Sequence, residues 1–454
     1  MNCQLFFDQL CEVVGFDTSA STLLNPSQLI TGINTDSRNL RVGEIFVALR
    51  GDNFDGHNFV QVAIERGAIG IITEREIELP REYKVPQIKV ADTLSAYQKI
   101  ARWWRDQFNI PVVSITGSVG KTTTKELIAS VLATRGQVLK TQANYNNEIG
   151  VPKTLLGLES HHSYAVIEMA MRGRGEIALL TEIANPNISI ITNVGTAHIG
   201  RLGSREAIAQ AKCELLAKMP RDGVAILNHD YPLLLATAAQ VWQGETITYG
   251  LEGGDIQGEF ISPQTLRVGN TDFPVPLSGA HNASNYLAAL AVAQVLGIDW
   301  NPLTAGLDVT LPGGRARRYQ LPGEIVLLDE TYNAGLESMI AALHLLRETP
   351  GTRHLAVLGT MKELGEHSRE LHHLVGVTAQ KLGLDGLLVL VDESETEAIV
   401  EGAAGINSQC FTTHSALVEK LNEMIEPGDC ILFKASNSVG LQQVVQQLRS
   451  QWQD

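Results

Sequence analysis

No two of the five cysteines (Cys3, Cys11, Cys213, Cys410 and Cys430) have C-x-x-C spacing. This excludes a zinc ribbon or a disulfide frame and predicts thiols kept in a reducing compartment. No apolar run approaches the roughly 18 residues that would cross a bilayer. The first residues, MNCQLFFDQLCEVVGF, lack a cationic start and carry Asp8 and Glu12, so no signal peptide is expected. Basic residues are short too, with 35 Lys+Arg against 50 Asp+Glu and a net charge of −15. That balance argues against a broad nucleic-acid surface, which needs a basic stripe, but leaves room for small anionic ligands held by local donors. Internal repeats and low-complexity tracts are absent. The expectation is a cytoplasmic monomer that binds no nucleic acid and does not insert into membranes.

What is present is a folded composition, 44% hydrophobic and 19% charged. At roughly 100–200 residues per domain, the 454 residues predict about two to four domains. Residues 1–109 mix short strands such as EIFVAL with turns and end in the aromatic and basic helix AYQKIARWWRDQF (96–108). From 110 to 313 the strands IPVVSIT, YAVIEM and ISIIT alternate with helical stretches, which predicts a parallel sheet covered on both faces. A turn-rich stretch at 246–276 suggests a β insert, and 281–297 an amphipathic helix. LPGGRARRYQLPGE (311–324) reads as a linker. Beyond it, IVLLDE, HLAVLG, GLLVLV and CILFKA predict a second open α/β sheet over 314–454.

The segment Thr116-Gly117-Ser118-Val119-Gly120-Lys121-Thr122-Thr123 lies between a predicted strand and a predicted helix. That context suits a phosphate-binding loop: glycines let backbone N–H groups turn inward, the helix N-terminus is electropositive, and the lysine reaches terminal phosphates. Thr122 would place its hydroxyl on Mg²⁺. Only two residues separate Gly117 from Gly120, a short form of the usual G-x-x-x-x-G-K-[ST] pattern.

Ligands of open α/β sheets sit outside the carboxyl ends of the strands. Glu168 ends one such strand and His198 follows another in TNVGTAH, so both are candidates to face the loop, near a hard cation. Lys212 falls within the apolar stripe Ile208, Leu215, Leu216 and Met219 of its helix. An inward lysine is unfavourable unless it is paired, chemically altered or reaching the rim.

Seven stretches, TGSVGKTTTKE, NYNNEIGVPKTLL, IEMAMRGRGEI, TNVGTAHIGRLGSREAIAQAKCELL, GAHNASNYLAAL, LLDETYNAGLESM and LGTMKELGEHSRELHHLVG, resemble the Mur ligases. These are ATP-dependent amide ligases of peptidoglycan precursor synthesis. At the N-terminus, INTDSRNLRVGEIFVALRGDNFDGHNF is similar to their nucleotide-sugar-binding domain. The resemblance implies three α/β domains: a UDP-sugar-binding domain, a phosphate-loop ATPase domain and a Rossmann-like C-terminal domain. Within the family, the YNA…SM and ELG…H patterns and the lack of a D-N-P-R motif point to the branch that adds D-Ala-D-Ala to UDP-MurNAc-tripeptide.

The resemblance further implies roles. Lys121 would contact ATP phosphates, Thr122 and Glu168 would bind Mg²⁺, and His198 would join a second metal site beside a carbamylated Lys212. Asn282, Asn285, Arg315, Glu330 and Asn333 would approach the nucleotide. Thr35, Asp36, Ser37 and Arg38 would hold the uridine diphosphate portion, Asn146 and Asn147 would lie near the sugar and peptide, and Lys434 would serve the substrates. The chain departs from the family pattern at Glu330, at Ala334-Gly335-Leu336, and at Asn437, where an arginine is usual. A diamino-acid-adding Mur ligase, a folylpolyglutamate-synthetase-like ligase and a regulatory ATPase remain the alternatives.

Overall fold

The computed structural model describes residues 3–18 and 23–452 and contains three α/β domains in chain order. The outermost residues of the first and last expected domains (1, 2, 453 and 454) therefore lie outside the described residues. In the N-terminal domain, strands Gly32–Asn34, Glu44–Val47, Gly70–Thr73 and Gln87–Lys89 form a parallel sheet in that order. A two-residue antiparallel pair, Leu5–Phe6 with Leu29–Ile30, stands apart from it. Helix Thr93–Asp106 starts where the Asp92 carboxylate accepts from the N–H groups of Leu94 and Ser95, both at 3.1 Å, a side-chain cap on otherwise orphaned donors. Its buried Arg105 donates to the carbonyls of Ala184 and Asn185, at 3.0 and 3.1 Å, which ties this helix to the central domain.

Nine strands form the central sheet. Val112–Thr116 runs between Ile188–Ile191 and His162–Glu168, all parallel, with Gln137–Lys140 at one edge. On the other side Val224–Asn228 and Glu245–Gly250 continue the parallel run. The stretch expected as a β insert divides: Glu245–Gly250 belongs to the main sheet, while Ile256–Ser262, Thr265–Val268 and Thr271–Pro274 form a meander appended to it. Alternate strand residues face opposite ways. Val113, Ile115 and Val166 pack on helices Lys121–Ala133 and Ala280–Val295. Ala165, Ile167 and Ile191 pack on the side of Glu176–Ala184 and Arg205–Lys218. Burial on both faces explains why these strands read as unbroken apolar runs.

The C-terminal sheet has six strands, ordered Arg317–Leu321, Ile325–Asp329, Asp429–Lys434, Arg353–Gly359, Gly386–Leu390 and Ser408–Phe411. The first corrects the linker expectation. RRYQL is an antiparallel edge strand paired with Ile325–Asp329; its mostly exposed polar side chains are those of an edge, so hydropathy alone reads it as loop. No helix among the described residues is long and apolar enough to cross a membrane.

Candidate active site in the cleft between the central and C-terminal domains

Strand register sets the site. Ile115 pairs with Glu168 on one side of the loop-bearing strand, and Thr116 pairs with Ile191 on the other. The chain leaving Thr116 is therefore flanked by Glu168 and by the segment that begins at Thr192. Gly117 passes so close to this segment that an added Cβ would lie 1.9 Å from Thr192 Oγ1. Gly120 opens helix Lys121–Ala133 with φ +82°, a left-handed conformation that favours glycine. Asn193 clamps the loop: its Oδ1 accepts from Val119 N–H at 2.9 Å, and its Nδ2 donates to Val119 O at 3.0 Å. Ser118 Oγ accepts from Gly195 N–H at 2.8 Å, and Thr192 Oγ1 donates to Val119 O at the same distance.

Lys121 folds back over this loop, its Nζ donating to Gly117 O at 2.7 Å. Burial lowers its pKa, while the Glu168 carboxylate opposes that shift. Glu168 is buried, and one of its oxygens accepts from Asn146 Nδ2 at 2.8 Å. The other, Oε2, has no hydrogen-bond partner; its nearest cation is Lys125 Nζ at 4.0 Å. Lys125 is itself buried and paired with Glu126 at 2.9 Å.

A cleft of about 660 Å³ opens above the loop and is walled by both domains. It brings together Ser118, Val119, Gly120, Lys121, Thr122, Thr123, Asn146, Glu168, His198, Asn282 and Asn285 with Arg315, Glu330, Asn333 and Lys434 from the far side. Arg315 stacks on Tyr332 with its guanidinium carbon 3.8 Å from the ring centroid, and its Nε has no partner. Lys434 Nζ donates to Asn333 O at 2.9 Å, and burial pulls its pKa down. Burial raises the Glu330 carboxyl, opposed by Lys434. His281, in the same cleft, is pushed to about 4 by burial and by the Lys434 charge.

Other expected residues stand elsewhere. Thr116 ends its strand fully buried, with an unpartnered hydroxyl. Asn147 accepts from Gly150 N–H at 2.9 Å, just ahead of helix Gly150–Leu155, and is not among the residues lining the cleft. Thr35, Asp36, Ser37 and Arg38 lie in the N-terminal domain, also outside the cleft lining. Arg38 holds Asp36 through two side-chain hydrogen bonds of 2.9 and 2.8 Å, and this lowers the Asp36 carboxyl to about 2.

Three family models match the chain: Mur ligase family, catalytic domain, at residues 29–105; Mur ligase middle domain at 115–293; and Mur ligase, glutamate ligase domain, at 314–437. The chain belongs to the Mur ligase family. A UDP-N-acetylmuramoyl-tripeptide–D-alanyl-D-alanine ligase of Synechocystis sp. is 58% identical to it over 94% of both chains. Among solved structures, MurF from Acinetobacter baumannii matches with TM-score 0.90 at 31% identity, covering 99% of both chains. The MurF ligase from Thermotoga maritima, solved in complex with ADP, matches with TM-score 0.82 at 31% identity, covering 93% of this chain and 98% of that one.

Lys212 of this Mur ligase is 1% exposed. Burial, reinforced by the charge of Lys121, holds its amine well below the ordinary lysine range. His198, half-buried at φ +66°, has Nδ1 2.6 Å from Glu363 Oε2 and is lowered by burial. Among the described residues no cluster of three or more His, Cys, Asp or Glu side chains could hold a metal by itself. The unpartnered Glu168 oxygen and the Thr122 hydroxyl do fit a hard cation that completes its shell with phosphate oxygens and water. Sequence reasoning had not singled out Lys125, His281, Glu337 or Glu363, although each lies inside a stretch that resembles the family.

Proposed function

We propose that this Mur ligase joins D-alanyl-D-alanine to UDP-N-acetylmuramoyl-tripeptide at the expense of ATP, forming the pentapeptide precursor of peptidoglycan with release of ADP and phosphate. The observation that carries the reading is the shared cleft. The phosphate loop and Glu168 on one wall face Arg315 and Lys434 on the other, in a chain 58% identical to a ligase of that name.

The tripeptide's terminal carboxylate attacks the γ-phosphorus of ATP, the bridging P–O bond breaks, and ADP leaves. The resulting acyl phosphate is attacked at carbon by the free amine of D-Ala-D-Ala. The C–O bond to phosphate breaks, the amine gives up a proton, and an amide remains. The first step brings two anions together, and Lys121, the N–H groups of the loop and the start of helix Lys121–Ala133 offset their charge. Mg²⁺, held by Thr122 and Glu168, would add positive charge beside the phosphates. Arg315, Glu330 and Asn333, with Asn282 and Asn285, would seat the nucleotide. The docked C-terminal domain excludes water from the acyl phosphate.

Lys212 is assigned the carbamate. Burial favours the neutral form of this amine, and the neutral amine can attack CO₂; an N–C bond forms, one proton leaves, and a single negative charge results. That charge, with His198, would suit a second cation. Asn146 orients Glu168; the Asp36–Arg38 pair, with Thr35, Ser37 and Asn147, is assigned to the nucleotide-sugar portion, and Lys434 to the substrates in the cleft. We place the domain divisions at 109/110 and 313/314, supported by the changes of sheet between Lys89 and Val112 and between Pro274 and Arg317. A cytoplasmic monomer is the proposed setting, supported by cysteines that are all free and by a cleft complete within one chain.

Phosphate release measured with UDP-MurNAc-tripeptide and ATP tests the reading. Release is expected only on adding D-Ala-D-Ala; release driven instead by a diamino acid or glutamate, or by no amine, would overturn it.

A further inference from the structure

The C-terminal domain grips residues 192–200 of the central domain at several points. Glu337, in the first turn of helix Leu336–Glu348, accepts from Thr196 N–H at 2.7 Å and from Thr196 Oγ1 at 3.2 Å. Gly195 lies beneath that carboxylate, where a Cβ would stand 2.5 Å from Glu337 Cδ. Glu363 approaches His198 Nδ1 at 2.6 Å and Arg201 at 3.5 Å, while its backbone carbonyl accepts from Gly200 N–H at 3.3 Å. Gly200 and Gly365 pack backbone to backbone: a Cβ on Gly200 would lie 2.5 Å from Gly365 N.

The other side of this same segment clamps the phosphate loop through Thr192, Asn193 and Gly195. His198 sits between the two grips in a left-handed conformation, which a non-glycine residue keeps only where its surroundings enforce it. Segment 192–200 therefore connects the C-terminal domain mechanically to the loop that meets the phosphates.

Resting on the ligase reading above, we propose that Glu337 and Glu363 are positioning residues: together they form a clasp by which the docked C-terminal domain sets His198 and the phosphate loop for reaction. Neither needs to touch substrate. Glu337 acts through the Thr196 backbone and Glu363 through the His198 ring, so the reactive arrangement is completed only when the domains are docked.

The test compares the wild-type chain with Glu337→Ala, Glu337→Gln and Gly200→Val. Gly200 is exposed, so valine there separates the domains at their contact without entering either core. Steady-state phosphate release gives kcat and KM, calorimetry gives the ADP dissociation constant, and X-ray scattering gives the radius of gyration. The expected result for Glu337→Ala and Gly200→Val is a kcat lower by about tenfold or more, with a smaller loss of ADP affinity. Gly200→Val also has a larger radius than wild type. Glu337→Gln, which keeps an acceptor for Thr196 N–H, recovers most of the lost kcat; a carboxylate serving only as bulk charge would not be rescued this way. If Glu337→Ala does not fold, Gly200→Val carries the same test. Both kcat and radius matching wild type in Gly200→Val would overturn the clasp. A wild-type chain with no dipeptide-dependent release would overturn the ligase reading instead, and the scattering comparison would still decide the clasp.

Discussion

Replacing Lys212 with methionine should raise stability and abolish ligation together. The amine is 1% exposed on helix Arg205–Lys218, and no carboxylate lies within ion-pair distance among the described residues. Burial first, and then the charge of Lys121, hold its pKa well below the ordinary value. In the unfolded chain the same amine titrates near about 10.4. Between the two values the unfolded state binds one more proton, so wild-type stability rises with pH by up to ~1.4 kcal/mol per unit. Methionine keeps the length of the side chain and removes this penalty. At neutral pH the variant is expected to be more stable by about 1–3 kcal/mol. For a domain of about 200 residues that is roughly 3–9 °C in Tm. The gain should shrink as pH rises towards about 10.4 and vanish above it, where the amine becomes neutral in the unfolded state as well. Calorimetric scans from about pH 6 to 10, in bicarbonate-free buffer to keep the amine unmodified, measure both trends. A less stable Lys212→Met at neutral pH, or parallel pH profiles, would refute the reasoning. Full ligation by that variant would remove the carbamate assignment.

Lys121→Ala should lower kcat/KM by about 100-fold or more while leaving the fold intact, as phosphate-release kinetics and a Tm close to wild type would show. Glu168→Gln exchanges the unpartnered oxygen for a weaker metal donor; the Mg²⁺ concentration for half-maximal rate should rise about tenfold or more, read from a titration at saturating ATP. His281 is held at about 4 against roughly 6.5 when unfolded, so the unfolded chain binds the extra proton between those values and stability falls as pH drops through that window. His281→Asn should flatten this acid limb in denaturant titrations and leave the neutral region unchanged.

The strands that carry the site were legible because both of their faces are buried. Val112–Thr116, His162–Glu168 and Ile188–Ile191 are apolar runs, and each ends in a chemically distinct loop. Lys212 was legible for the same reason, as a charge inside an apolar stripe. Arg317–Leu321 and Ser408–Phe411 were not, because edge strands keep polar side chains and satisfy half their backbone groups with solvent. Glu337 and Glu363 were out of reach for another reason. Their partners stand 141 and 165 residues away, and only the docking of two domains gives either carboxylate a meaning. Asn147 shows the reverse limit: a residue type suited to polar ligands also makes a local bond, to Gly150 N–H, that the sequence does not announce.

Ligation through an acyl phosphate can be followed by oxygen labelling. The chain would be incubated with ATP, D-Ala-D-Ala and UDP-MurNAc-tripeptide carrying oxygen-18 in its terminal carboxylate, and the products weighed by mass spectrometry. The mechanism predicts a pentapeptide joined through a new amide, with one labelled oxygen transferred to inorganic phosphate. Phosphate free of label, or no pentapeptide, would contradict it.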